Sequence, residues 1–200
     1  MNKYEFAQLT VNILKCKKCE QLCSISPYGY PHIYLGDFKK DIMIIGQNPG
    51  QEHDYPMDLT VEMFLKNYKK NFFICNIFNF LTDKIFKDEI IWERIFFTNI
   101  VKHPSPKLRA ITNEEINKCS EYLKFQIEAV RPKYIITLGA ASFNGFSLHI
   151  LNKRTFKLEL NKIHRCDDFI WLPLYHPNYL SLNPDIQAIT SEKVKELLCL

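Results

Sequence analysis

Residues 41–46 read Asp-Ile-Met-Ile-Ile-Gly, and Gln47-Asn48-Pro49-Gly50 follows them at once. An apolar run without polar alternation predicts a strand that is buried on both faces. The glycine and proline after it predict a tight turn where the strand ends. Strands of this kind are typical of the parallel sheets of α/β proteins, so the other elements can be interpreted around this one.

Further apolar runs predict three more strands, at residues 95–101, 134–139 and 169–175. The last run contains Pro173, which cannot donate a backbone hydrogen bond, so we expect this strand at an edge. Together with residues 41–46, these runs predict a sheet of four strands.

Helical patterns separate and flank these strands. Apolar residues at helical spacing from Phe6 to Ile13 predict a short first helix, and another helix is expected near Asp58. Thr112 and Glu115 match a capping box, which opens a helix whose apolar face includes Cys119. A last helix is expected to be capped by Asn183-Pro184.

The alternation of strands and helices predicts the fold class α/β, as a three-layer α/β/α sandwich around a mainly parallel four-stranded sheet. The chain has 200 residues, of which 46% are hydrophobic, enough for one substantial core. No stretch resembles a tether between domains. We therefore expect residues 1–200 to form a single domain with an N-terminal segment that carries a metal cluster.

Composition limits the cellular context. The seven cysteines are an odd number, and we find neither a secretory segment after Met1 nor an apolar run of membrane-spanning length. We expect a cytoplasmic monomer with reduced thiols and no membrane partner, associated with the nucleoid if the source is prokaryotic. The net charge of +4 is only mildly basic, so it permits an acidic polymer as partner without establishing one.

Four side chains that bind soft metals occur in two groups, Cys16 with Cys19 and His103 with Cys119. A Cys-x-x-Cys loop presents two sulfurs to one centre, and in a reducing compartment such a pair more often binds metal or carries redox chemistry than forms a disulfide. A shared centre would join the N-terminus to the middle of the chain.

Polar residues follow three of the predicted strands. Asn48 comes after the first strand, Asn99 ends the second, and His176 follows the fourth. In open parallel sheets, ligands bind beyond the carboxyl ends of the strands. We therefore expect these side chains to meet in one pocket.

The chain resembles the uracil-DNA glycosylase superfamily, and specifically its iron-sulfur branch, family four. The matching pieces cover most of the chain, and their order is more specific than any one of them. They are Cys16-x-x-Cys19 with Leu22-Cys23, Gly46–Gly50 with Glu52 and Asp54, Thr98–Lys102, Arg109–Cys119, Pro132–Gly139, and His176-Pro177 with Leu180.

The resemblance implies a monofunctional DNA repair enzyme that flips uracil out of DNA and hydrolyses its N-glycosidic bond, leaving an abasic site. By this analogy His176 donates a hydrogen bond to uracil O2, although a histidine here could instead cap local backbone. Asn99 would recognise the N3–H and O4 edge, the alternative again being a local backbone contact. Asn48 would orient the attacking water, with Gln47 as the second candidate.

The same resemblance assigns Gly46 and Gly50 to the base pocket. Family four usually reads Gly-Glu-Ala-Pro-Gly here, so Gln47-Asn48 is a departure that resembles the mismatch-specific and single-strand-selective branches. Gly50 stands where another branch has a tyrosine that excludes thymine, which leaves base specificity open. Tyr55 and Met57 are both candidates for stacking on the flipped base.

DNA contacts are expected from Leu180 and Leu182, at the position of the family's apolar wedge, and from Lys102 and Arg109 on phosphates. The alternatives are leucines that cover the final helix and basic side chains that are merely solvated.

In family four the third metal ligand is a cysteine, where this chain has His103. The resemblance implies a structural 4Fe-4S cluster held by Cys16, Cys19, His103 and Cys119. Zinc is the alternative, because three cysteines and one histidine are an ordinary structural zinc set. Cys23 in place of His103 is a further possibility.

Other functions remain open at this point. Gly50 and Asn48 would also suit a glycosylase for another damaged base, such as hypoxanthine or mismatched thymine. The departures from the family pattern would suit a metal-stabilised DNA-binding protein with little catalysis. An electron-transfer protein is disfavoured, because clustered ferredoxin-type cysteine spacing is absent from the sequence.

Overall fold

The computed structural model describes residues 1–26, 29, 33–34, 38–50, 80–87, 92–106, 109–153 and 159–199. The helix predicted near Asp58 lies outside the described residues. Within them, no helix combines the length and the apolar character that crossing a membrane requires.

The described strands form one sheet in the order β1-β3-β2-β4-β6-β5. The neighbours among β3, β2, β4 and β6 are parallel, which confirms the predicted four-stranded arrangement. One short antiparallel strand was not predicted at each edge, because two residues carry no usable periodicity. The strands are β1 (Ile33–Tyr34), β2 (Ile42–Gly46), β3 (Ile95–Asn99), β4 (Tyr134–Leu138), β5 (His164–Arg165) and β6 (Ile170–Leu174).

Pro173 lies at the edge of the parallel set. Its partner on the inner side is Thr137 of β4, whereas β5 pairs with β6 only at Ile170 and Trp171. The missing N–H of the proline therefore falls beyond the last residue that pairs with β5. The expected edge position is confirmed within the parallel strands.

The predicted helices at both ends and in the middle of the chain are present. Both bonds of the capping box are formed in α3, where the Thr112 side chain accepts from the Glu115 N–H and the Glu115 carboxylate accepts from the Thr112 N–H. The α-helices that lie within the described residues are α1 (Lys3–Leu14), α2 (Glu20–Cys23), α3 (Asn113–Val130), α4 (Gly139–His149), α5 (Pro177–Ser181) and α6 (Pro184–Leu198).

The start of α6 differs from expectation in one detail. Pro184 occupies the first turn, but the Asn183 side chain does not cap the helix. Its Nδ2 instead donates to the Tyr179 carbonyl at 2.7 Å, which ties the end of α5 to the start of α6. Proline needs no cap for its own nitrogen, so the amide is available for this second use.

Alternate side chains of the strands enter two separate cores, which confirms the three-layer sandwich. Met43, Ile45 and Phe96 pack on one face with α1, α3 and α4. Ile44 and Phe97 pack on the other face with α6 and a π-helical turn at Leu81–Phe86. Both faces of the sheet are thus covered, and its strand ends are left for ligands.

Candidate active site

The strand order places a crevice between β2 and β4. From β2 the chain continues to β3 on one side, and it then crosses to β4 and β6 on the other side. In such doubly wound sheets ligands bind where the order reverses, outside the carboxyl ends of the strands. The segments that leave this edge are Gly46 to Gly50 after β2 and Gly139 after β4.

Gly46 and Asn99 occupy one side of this crevice. They are paired in the parallel register of β2 and β3, and the Ile100 N–H donates to the Gly46 carbonyl at 2.9 Å. A Cβ on Gly46 would lie 2.4 Å from Asn99 Oδ1, closer than any side chain tolerates. Glycine is therefore required here for the Asn99 amide to rest against the end of β2.

The Asn99 amide is available to a ligand. The side chain is half-buried, and within the described part of the chain neither of its polar atoms has a hydrogen-bond partner. An amide offers both an acceptor and two donor hydrogens, which is what a base edge with an adjacent N–H and carbonyl requires. The structure thus leaves the expected recognition chemistry unoccupied by local backbone.

Asn48 is held in one orientation. Its Nδ2 donates to the Pro49 carbonyl at 3.1 Å and contacts Ser105 Oγ at 3.3 Å. Because a carbonyl can only accept, the nitrogen must face it, and Oδ1 points elsewhere. Among the described residues no donor reaches that oxygen, so it can accept a hydrogen bond from water. Gln47 is half-buried, and its carbonyl accepts from the Val101 N–H at 3.0 Å.

His176 is fixed by the first turn of its own helix. The Asn178 N–H donates to His176 Nδ1 at 3.2 Å, so His176 caps α5. The alternative that this histidine caps local backbone is therefore correct, but the cap uses only one of its two ring nitrogens. A nitrogen that accepts carries no proton, so the neutral ring keeps its proton on Nε2. Burial lowers the pKa of His176 from its ordinary 6.5, which favours this neutral form.

Gly139 supports the imidazole from β4. It has φ +80°, a left-handed conformation that favours glycine, and a Cβ there would lie 3.2 Å from the Cβ of His176. His176 therefore packs directly on the turn that begins α4. Asn99 with Gly46 on one side and His176 with Gly139 on the other border the same strand edge, and their meeting in one pocket stays a prediction.

Other residues assigned to the base pocket are less informative. Gly50 is exposed at the end of the described loop, and Tyr55 and Met57 lie outside the described residues.

Two of the expected DNA contacts are wrong. Leu180 has no exposed surface and packs in the core beside α6, because α5 turns that residue inward. Lys102 is likewise fully buried, so it cannot touch a phosphate. Leu182 is 80% exposed, and its role as a wedge stays a prediction. The guanidinium of Arg109 binds the Glu115 carboxylate at 2.7 Å, which gives it a structural partner instead of a phosphate.

Lys102 instead binds the end of β3 from inside the protein. Its Nζ lies 2.9 Å from Thr98 Oγ1, 2.8 Å from Gln126 Oε1 and 2.5 Å from the Asn99 carbonyl. These three acceptors match the three hydrogens of an ammonium group. Burial lowers the pKa of Lys102 to about 7, and nearby Cys119 opposes that shift.

The predicted metal ligands are gathered around the start of α3. Cys16, Cys19, Cys119 and His103 are all buried. The interaction between the Cys19 and Cys119 thiols lowers the pKa of Cys119 to about 7 and raises the pKa of Cys19. Cys23 Sγ lies 3.7 Å from His103 Nε2.

His103 Nδ1 is buried without a hydrogen-bond partner. Such a nitrogen is costly unless something binds it, and a metal ligand role would satisfy it. As the side chains stand, however, no group of three His, Cys, Asp or Glu among the described residues is arranged to hold a metal ion. The six cysteines in that part of the chain are all free thiols.

Sequence comparison identifies the family. The family model described as "Uracil DNA glycosylase superfamily" matches residues 33–198. The chain belongs to the uracil-DNA glycosylase superfamily.

Relatives within the superfamily align along nearly the whole chain. A "Type-4 uracil-DNA glycosylase" from Saccharolobus solfataricus is 32% identical over 93% of this chain and 83% of its own length. One of the same name from Archaeoglobus fulgidus is 27% identical over 92% and 87%. A "Type-5 uracil-DNA glycosylase" from Pyrobaculum aerophilum is 26% identical over 93% and 87%.

Sequence patterns missed several residues that contact the candidate site residues. Ser105 orients Asn48, Gly139 supports His176, and Gln126 binds Lys102 from α3. Gly139 was visible as the glycine that ends the third predicted strand. Ser105 and Gln126 carry no local signal, because each acts on a residue distant in sequence.

Proposed function

We propose that this chain is a monofunctional DNA glycosylase that hydrolyses the N-glycosidic bond of uracil in DNA and leaves an abasic site. The observation that carries the proposal is the state of His176, whose Nδ1 is capped and whose Nε2–H is left to donate. The activity named for its relatives supports the same conclusion.

The chemistry follows from where charge develops. When the bond breaks, negative charge appears on the departing base and positive charge on the sugar. A neutral imidazole in a partly buried site donates from Nε2 to uracil O2 and stabilises the leaving anion. Its proton need not transfer, so the lowered pKa of His176 favours the role.

Asn99 supplies selectivity in this proposal. Its free amide pairs with the N3–H and O4 of a flipped uracil, whereas cytosine presents the opposite pattern at these positions. Asn48 Oδ1 holds the attacking water. Because an amide is a poor base, catalysis depends mainly on stabilisation of the leaving group.

We further propose that Cys16, Cys19, Cys119 and His103 hold a structural metal centre, a 4Fe-4S cluster with zinc as the alternative. The donor set suits either group, and the unpartnered Nδ1 of His103 supplies a fourth ligand. Its contribution would be to fasten the N-terminal segment to α3, away from the base pocket. Elemental analysis with a visible absorption spectrum distinguishes iron from zinc.

The activity is tested with duplexes that differ only in one uracil or thymine, incubated with enzyme and then cleaved with alkali. We expect a strand break at uracil alone. His176→Ala should lower the single-turnover rate by about a hundredfold to a thousandfold, as for the loss of one donor to a developing anion. An intact uracil strand under conditions where a relative is active would reject the proposal.

A matched control for His176 is His149, at the opposite end of α4. Residues 139–149 form α4, so its two ends are about 15 Å apart at 1.5 Å per residue. His149→Ala should retain uracil release. Equal losses in both variants would remove the assigned role from His176.

A second substrate class is favoured by one observation. Gly50 is exposed and offers no side chain to exclude a 5-methyl group. Mismatched thymine, or hypoxanthine, is therefore the alternative substrate. A panel of lesion duplexes at equal enzyme excess ranks these bases against uracil.

A further inference from the structure

Lys102 is a buried amine that the proposed chemistry does not use. It lies three residues after Asn99, its side chain has no exposed surface, and its three hydrogen bonds all go to neutral oxygens. Among the described residues no carboxylate forms an ion pair with it. A lysine buried in this way is costly, which calls for a specific benefit.

The three bonds of Lys102 converge on the residue that would read the base. One holds the Asn99 carbonyl, and another holds the side chain of Thr98, the preceding residue. The third reaches Gln126 Oε1 on α3, to which Thr98 Oγ1 also donates at 3.0 Å. The end of β3 is thereby fixed to a long helix at a point that solvent does not reach.

The peptide that joins Asn99 to Ile100 is held at both of its polar ends. Beyond Asn99 the chain leaves β3, and the Ile100 N–H bonds back to Gly46 on β2. Lys102 holds the Asn99 carbonyl at the other end of the same peptide, while the Asn99 side-chain amide rests on Gly46. A shift of residues 98 and 99 at the end of β3 would carry the Asn99 amide off the end of β2.

We infer that Lys102 is a positioning residue, which aims the Asn99 amide at the base by holding the Asn99 carbonyl and the end of β3 against Gln126. The inference rests on the proposed function, because it concerns the same base pocket. It also replaces the expected phosphate contact, which burial rules out.

A double-mutant cycle tests whether Lys102 acts through Asn99. Lys102→Met keeps the length of the side chain and removes all three donors. We expect it to lower the single-turnover rate on uracil by roughly a hundredfold, the loss typical of a small misplacement. In an Asn99→Ala background the same change should cost little more. Losses that multiply fully would show that Lys102 acts elsewhere and would overturn the inference.

A second measurement does not depend on activity. In ¹⁵N-labelled protein, the side-chain amide signal of Asn99 is the one that disappears in Asn99→Ala. We expect Lys102→Met to shift or broaden this signal, and Lys124→Met, an exposed lysine on the same helix as Gln126, to leave it unchanged. An unmoved signal in Lys102→Met overturns the inference, even if the wild-type chain releases no uracil and the proposed function fails.

DNA binding separates positioning from phosphate contact. The dissociation constant and its salt slope should match wild type in Lys102→Met, whereas loss of a phosphate contact would reduce the slope by about 1. If Lys102→Met fails to fold, Gln126→Met removes one of the three acceptors and keeps the lysine. It should cause a smaller change of the same kind in both the rate and the Asn99 signal, and no change in either would overturn the inference.

Discussion

At the scale of single residues, His176 combines the helix cap with the proposed donor role, which the sequence alone left as alternatives. Capping α5 uses only Nδ1, and this bond is what places the proton on Nε2. A histidine without the Asn178 contact would exchange between tautomers and present a lone pair to the base part of the time. Local helix capping thus prepares His176 for its proposed role as donor to the leaving anion.

Acid should inactivate the enzyme through His176. Its pKa lies below 6.5 because burial disfavours the charged ring, so the folded protein keeps it neutral until the solution is more acidic than that value. Protonation then breaks the Nδ1 bond to Asn178. We expect kcat to fall as pH drops through this lowered pKa, and His176→Asn, which cannot titrate, to lack that limb.

The same shift affects stability. Below pH 6.5 the unfolded chain protonates His176 before the folded protein does, so the free energy of unfolding decreases until the folded pKa is passed. His176→Asn should reduce this loss between pH 8 and pH 5 in denaturant titrations. If His176→Asn kept the wild-type fall of kcat at acid pH, that fall could not be assigned to His176.

Gly46→Ala should disable recognition without unfolding the protein. The added Cβ would meet Asn99 Oδ1 at 2.4 Å, so the amide must move. We expect the single-turnover rate on uracil to fall roughly a hundredfold. Gly46→Ala combined with Asn99→Ala should be no slower than Asn99→Ala alone, and a further large loss would show that Gly46 serves another purpose.

At the scale of elements, strong periodicity and capping chemistry predicted most of what is observed. The parallel strands and helices α1, α3 and α6 follow from apolar spacing and from the Thr112–Glu115 pair. Strands β1 and β5 could not be predicted, since each has two residues and exists only through its partner.

Loss of the α3 cap should weaken the element that carries Cys119 and Gln126. Thr112→Ala removes the oxygen that accepts from the Glu115 N–H, at an expected cost of about 1 kcal/mol in the free energy of unfolding. Asn113→Ala, one residue later and exposed, is the matched control. Urea titrations should show a lower midpoint for Thr112→Ala only, and equal midpoints would contradict the role of the cap.

At the scale of the whole molecule, the edge of the sheet brings together residues distant in sequence. Strand endings alone predicted that Asn48, Asn99 and His176 share that edge, since parallel strands align their carboxyl ends. The directions of the Lys102 and Leu180 side chains could not be predicted, because Lys102 lies just beyond β3 and Leu180 lies in a five-residue helix too short to show periodicity. The burial of Lys102 depends on Gln126 of α3, and that of Leu180 on packing against α6, and neither contact is specified by a local pattern.

The buried thiols join the N-terminal segment to α3, and they do so on the face of the sheet that α1 covers. If Cys119 holds a metal, removal of the metal should loosen that connection and leave the strand ends intact.

We expect chelation or Cys119→Ser to lower Tm, by about 2–4 °C for each kcal/mol of stability lost in a domain of this size. Either change should also make residues 1–23 sensitive to protease. Cys199→Ser, which removes an exposed thiol, is the matched control. Uracil release per folded molecule should persist at low temperature, because the contacts of His176 and Asn99 do not involve the thiols. A metal-free protein with an unchanged Tm, or equal loss of metal in Cys199→Ser, would contradict a structural centre at Cys119.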